Sequence, residues 1–135
     1  HLLMGGLAGI LLGWAAFPVI AVGLVLQAAL FGFGGLVVLG VNLANIALPA
    51  TLAGLLGRRL LARPALAGAV AAMGAVAGTA MMVALSLALS GREFLLAGQA
   101  LAVTYIPLMA VEVVATAAMI GVLAKVKPES LEVRP

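Results

Sequence analysis

The chain has 135 residues, of which 66% are hydrophobic and 8% charged, whereas soluble domains carry about 25% charged residues. Seven basic and four acidic residues, a net charge of +3, cannot keep a soluble surface wet and form no patch for nucleic acid. There is no Cys and only 4% aromatic residues, which excludes a disulfide framework, a thiolate metal site and a stacking platform for bases or sugars.

What remains is an all-α, polytopic transmembrane helical bundle, because long unbroken apolar runs lack the alternation of a β-barrel. The first residue is His1 rather than Met, and we read the chain as incomplete at its amino end. In chain order, Leu2–Gly13 is a short first helical segment and Ala15–Phe31 a second. A glycine-rich turn, Phe31-Gly32-Phe33-Gly34-Gly35, leads to a third over Gly35–Gly57. Ala65–Leu89 and Leu95–Ala124 are the fourth and fifth. Residues 1–135 form a single transmembrane domain, with 125–135 as its cytoplasmic tail. All five segments are apolar on every face, as lipid-embedded helices are. Pro18, Pro49 and Pro107 fall within or near helices, where membranes tolerate them.

Charge sets the expected orientation. Arg58, Arg59 and Arg63 crowd one loop, and Lys125, Lys127 and Arg134 follow the fifth helix. The positive-inside rule places both groups in the cytoplasm, with the glycine turn outside. Counted from the cytoplasmic helix ends at 1.5 Å per residue, His1, Gln27, Asn45 and Glu112 each lie about 18 Å up. Asn42 and Thr79 lie a turn or less higher. The expectation is a single polar layer near the midplane.

Polar groups at that depth hydrogen-bond between helices or line a cavity. Glu112 either meets a cation or several donors, or is a protonated packing residue bonded to a backbone carbonyl. His1, the one histidine, is a structural hydrogen-bonder or a metal ligand. One imidazole and one distant carboxylate are too few for a closed metal shell. Met81 and Met82 read as apolar filler, and Ser86 and Ser90 have no nearby base. Small residues recur at four-residue spacing: Gly5, Gly9 and Gly13; Ala67, Ala71 and Ala75; Ala80, Ala84 and Ala88. Such stripes let helices approach closely, and the alanine stripes are candidate docking surfaces for a separate membrane subunit. No phosphate-cradling loop, nucleophile elbow or paired aspartates occur, so no catalytic residue is assigned.

Several blocks carry a family resemblance. They are His1-Leu2-Leu3 with Gly6-Leu7-Ala8-Gly9 and Leu12-Gly13; Leu26-Gln27-Ala28 with Gly34-Gly35-Leu36; and Leu39-Gly40-Val41-Asn42 with Asn45 and Pro49-Ala50. Arg92-Glu93-Phe94 and Lys127-Pro128-Glu129 follow. In order and spacing the chain resembles the CbiM/NikM family, the substrate-binding (S) component of energy-coupling-factor (ECF) transporters for cobalt and nickel. The resemblance implies Co²⁺ or Ni²⁺ as substrate, captured from outside in the plasma membrane of a prokaryote. It implies a transmembrane coupling subunit, a cytoplasmic ATPase pair and often a small accessory membrane subunit as partners, besides the lipid bilayer. Family members bind metal through an inserted Met-His amino terminus, completed by a second histidine at the start of a later helix. His1 matches that second histidine, and the Met-His segment is not in this sequence. By this resemblance His1 is the metal ligand, with Gln27, Asn42, Asn45 and Glu112 as pocket residues that orient the ligands. Two other readings stand beside it: a vitamin-binding S component, for which six aromatics are a thin lining, and a purely structural membrane subunit.

Overall fold

The structure, a computed structural model, describes residues 3–131, all helices, turns and short connections among them. In chain order these are α1 (Gly5–Leu12), α2 (Ala16–Phe31), α3 (Leu39–Arg58), α4 (Pro64–Ser90) and α5 (Leu95–Val126). Single 3-10 turns stand at Gly13–Ala15, Arg92–Phe94 and Pro128–Leu131. Four stretches are long and apolar enough to cross a membrane: Gly5–Phe31, Leu39–Arg58, Pro64–Ser90 and Arg92–Val126. The chain is a multi-pass membrane protein, an all-α bundle as its composition requires.

Helix ends follow local chemistry. Pro64 starts α4, where its missing N–H has no intrahelical partner to lose. Gly32 ends α2 at φ +69°, and its amide donates back to the Ala28 carbonyl at 3.1 Å, a left-handed cap that glycine adopts without a Cβ clash. Pro18 stands in the first turn of α2, where no backbone bond is forfeited. Pro49 and Pro107 lie deeper in α3 and α5, and each leaves the carbonyl four residues earlier, on Asn45 and Val103, without its helical donor.

The first apolar stretch does not run straight. Gly5 lies against Ala50, Gly9 against Gly54, and Gly13 against the Arg58 guanidinium, so α1 runs parallel to α3. Ile20 of α2 packs back on Ala50, Ala53 and Ala75, so the chain reverses at Gly13, whose φ is +60°. α1 is then about 12 Å long and α2 about 24 Å. Contacts of Gly74 with Ala53 and Gly78 with Pro49 make α4 antiparallel to α3, and contacts of Gly68 with Thr116 and Gly98 with Ala84 make α5 antiparallel to α4. The Gly13 turn, the Arg58–Arg63 loop and the end of α5 therefore share one end of the bundle. The glycine turn at 32–35 and the α4–α5 connection share the other. This is the relative arrangement that alternating spans predict.

Backbones meet directly at the core. A Cβ on Gly6 would lie 2.5 Å from the Ala72 nitrogen, one on Gly68 would lie 2.7 Å from the Thr116 carbonyl oxygen, and one on Gly57 would lie 2.8 Å from the Ala71 Cβ. Gly54 rests on the Gly9 backbone. Ala67, Ala71 and Ala75 are 0–3% exposed and are spent inside the fold against α1 and α3. At the basic end, Ile10, Ala71, Ile120 and Leu131 form a second cluster, which docks the Pro128–Leu131 turn back onto α1.

Two sets of substitutions separate contact glycines and alanines from spare ones. Gly54→Val and Ala71→Leu insert volume where backbones touch, and each should destabilise the bundle by about 1–3 kcal/mol or more. Gly23 and Gly121 face open space, and their change to Ala should leave stability unchanged or raise it by about 0.4–1 kcal/mol. Thermal unfolding in one detergent, with helicity as the signal, checks both.

Candidate functional site: two polar tiers

The polar residues form two tiers, about one turn apart along α3. Gly68 meets Thr116 and Ala117. In an antiparallel pair, stepping one turn back along α5 to Glu112 means stepping one turn on along α4, to Ala72. Gly6 of α1 also abuts Ala71 and Ala72. Asn45, by contrast, accepts a hydrogen bond from Ser86 Oγ at 3.1 Å. Along α3 the interval is short: Gly5 against Ala50 sets Leu3 and Met4, whose amides Glu112 accepts, level with residues 48–49, about one turn from Asn45. Gly57 packs beside Ala67 and Ala71, so α4 and α5 extend past the end of α3.

The upper tier lies toward the glycine-turn end. Asn45 is 4% exposed, and its side-chain oxygen takes the Ser86 hydroxyl, which also reaches the Met82 carbonyl at 2.8 Å. Pro49 adds the Asn45 main-chain carbonyl as an acceptor with no helical donor. Asn42 is half-buried, and its amide lies under Gly34, where a Cβ would come within 2.6 Å of Nδ2. Gly34 has φ +78°, so both space and backbone call for glycine there. Ile20 opposite Ala50 and Ala53 sets the α2–α3 register, and it brings half-buried Gln27 to the level of Asn45. Thr79 is 2% exposed and lies between the tiers on α4. The tier is neutral and rich in amide and carbonyl oxygen.

The lower tier centres on Glu112, which is fully buried. Its Oε1 accepts hydrogen bonds from the amides of Leu3 and, at 3.1 Å, Met4. Met4 has φ +50°, a left-handed conformation that costs a non-glycine residue about 1–2 kcal/mol. Successive amides that converge this way make a concavity for an anion, and α1 begins at the next residue with its positive dipole end facing the carboxylate. Glu112 Oε2 and Thr116 Oγ1, one turn apart on α5, are buried with no hydrogen-bond partner among the described residues.

His1 lies outside the described residues. The chain that emerges from it, at Leu3, is the chain Glu112 holds. Among the described residues no group of three or more His, Asp or Glu could hold a metal ion. Met81 is 69% exposed and with Met82 borders an apolar groove between α3 and α4. Of the second alanine stripe, Ala80 and Ala84 are half-buried and Ala88 is exposed, and Ala84 faces Gly98 of α5. The stripe at Ala67, Ala71 and Ala75 is covered within the chain and offers no docking surface, while Ala88 is open.

Sequence reasoning missed three participants. Ser86 was discounted for want of a base, although it stands two turns from Thr79 on one face of α4. Thr116 stands one turn from Glu112. The paired amides of Leu3 and Met4 have no side-chain signature at all.

Comparison with known proteins fits this architecture. A family model described as "Cobalt uptake substrate-specific transmembrane region" matches residues 1–130. A Haemophilus influenzae protein named "Putative metal transport protein" is 38% identical over 137 aligned positions, which cover 96% of this chain and 66% of that protein. The chain thus spans just under two thirds of that relative's length. No solved structure matches it. The match over nearly the whole helical bundle shows that the chain belongs to the CbiM family of cobalt uptake substrate-specific transmembrane regions.

Proposed function

We propose that this chain is the membrane-embedded, metal-capturing part of a cobalt or nickel uptake transporter of the ECF class, its S component. The family match over residues 1–130 carries the reading. The upper tier supports it, with Gln27, Asn42, Asn45 and a free carbonyl gathered at the end opposite the basic loops. A divalent cation entering there meets amide and carbonyl oxygens, and the one basic residue of that end, Arg92, stands beside Glu93. Under the positive-inside rule, the Arg58–Arg63 loop and the end of α5 face the cytoplasm of a prokaryotic cell, and the glycine turn faces out. Four-nitrogen coordination would suit Ni²⁺ and Co²⁺, with His1 supplying one nitrogen and the amides orienting what surrounds it.

Transport energy would come from partners. The chain has no phosphate-cradling motif, so a coupling subunit would link it to a cytoplasmic ATPase pair, with a small accessory subunit alongside. Reconstituted alone in vesicles, the chain should not accumulate Co²⁺ or Ni²⁺ against a gradient, and uphill accumulation without partners would contradict the reading. Affinity purification from the native membrane should bring down an ATPase together with a second membrane protein.

The ligand assignment has its own test. In the intact protein, His1→Ala should abolish cobalt and nickel retention. Asn45→Ala and Gln27→Leu should weaken binding by roughly 10–100-fold, as loss of groups that orient ligands does. Titration calorimetry and metal content after purification measure this, with helicity confirming each variant's fold. Undiminished binding by His1→Ala would remove the site from this end of the chain.

A further inference from the structure

Glu112 stands apart from the upper tier, and its carboxylate faces main-chain amides rather than other side chains. Two adjacent N–H groups meet a single oxygen, on a segment that the left-handed Met4 turns toward it. The carboxylate is fully buried and lies on α5, the helix farthest from α1 in sequence. The segment it grips lies immediately downstream of the chain's single histidine. Below that grip α1 is rigidly seated, since Gly5, Gly6 and Gly9 rest on Ala50, Ala71, Ala72 and Gly54. The start of α1 is therefore fixed at two kinds of contact, apolar backbone packing below and a carboxyl acceptor above.

We propose that Glu112 is a positioning residue, which clamps the backbone at Leu3 and Met4 and so fixes where the chain leading from His1 enters the bundle. This rests on the metal-capture reading for its purpose, but the clamp itself does not. Its action depends on reach rather than on countering the charge of a cation. A cation at Oε1 would have to compete with two amide hydrogens, so a counter-charge role would fall to Oε2, which has no partner among the described residues, and the variants below separate the two roles.

Two variants divide reach from charge. Glu112→Gln keeps a carbonyl oxygen at the same distance and removes the charge. Glu112→Asp keeps the charge and draws the oxygen back by one methylene. Both are examined in the full protein in detergent, by amide hydrogen exchange at Leu3 and Met4 with α4 as internal control. The clamp predicts exchange at Leu3 and Met4 about tenfold faster or more in Glu112→Asp, near-native exchange in Glu112→Gln, and unchanged protection in α4. Equal protection at these amides in Glu112→Asp and the unaltered protein would overturn it, as would unprotected amides in the unaltered protein. Calorimetry with Co²⁺ and Ni²⁺ follows the same variants. Binding about 10–100-fold weaker in Glu112→Asp, and within a few-fold of native in Glu112→Gln, supports positioning. The reverse order would make Glu112 a counter-charge and overturn the proposal. If the unaltered protein binds neither metal, the functional reading fails, while the exchange measurement still decides the clamp.

Discussion

Helices already inside a bilayer gain little by hiding apolar side chains from one another, because lipid tails are equally apolar. What holds them is close contact, and close contact requires small residues. Everything in this molecule is arranged around the point where α1 meets α3 and α4 with almost no side chain between. Gly9 lies on Gly54 and Gly6 on Ala71 and Ala72. If α1 were pushed away, Ile10 would lose its cluster with Ala71 and Ile120, and the amides of Leu3 and Met4 would leave Glu112. The polar contact at the top of α1 is thus a dependent of the apolar one beneath it. A buried carboxylate can be satisfied by main-chain donors only if those donors are delivered to within hydrogen-bonding distance.

Much of the fold was legible in the sequence because the bilayer restricts the choices so severely. Uncharged runs bounded by Arg58–Arg63 and Arg92–Glu93 leave little freedom in where the spans lie, and Gly13 and Gly32–Gly35 punctuate the first run. The sharing of one end by Gly13, Arg58 and Lys125 follows from alternation alone. Axial register was not legible. It depends on which small residue meets which, and a chain rich in Ala and Gly offers many alternative pairings. The contact of Gly68 with Thr116, rather than with a residue two turns earlier or later, sets which part of α4 and α1 Glu112 meets. No periodicity distinguishes those choices. The same limit applied to the stripes. Spacing marked Ala67, Ala71 and Ala75 as a surface for close approach, but it could not say whether the approaching helix belonged to this chain.

The candidate site was legible in its residue types and not in its grouping. Asn42, Asn45 and Gln27 stood out as polar groups in apolar helices, and the packing of Ile20 on Ala50 and Ala53 sets Gln27 near the level of Asn45. Glu112 stood out more strongly, as the lone charge in a span, and it belongs elsewhere. Its partners are peptide groups, which every residue carries and which no pattern of side chains can flag. The one backbone hint, a left-handed Met4, is invisible until the chain is folded.

The length of α5 has a consequence for the membrane itself. Its 32 residues measure about 48 Å, against a hydrocarbon thickness of about 30 Å. Helix tilts reach roughly 40° at most, and even that inclination leaves the axis several ångströms too long. The surplus emerges beside the Arg58–Arg63 loop, where Lys125 and Lys127 can extend into the headgroups. Both tiers lie inward of that overhang. In thicker or thinner lipid, hydrophobic mismatch would be taken up by how far this basic foot protrudes, so the depth of the foot, and not the spacing between the tiers, is what bilayer thickness adjusts.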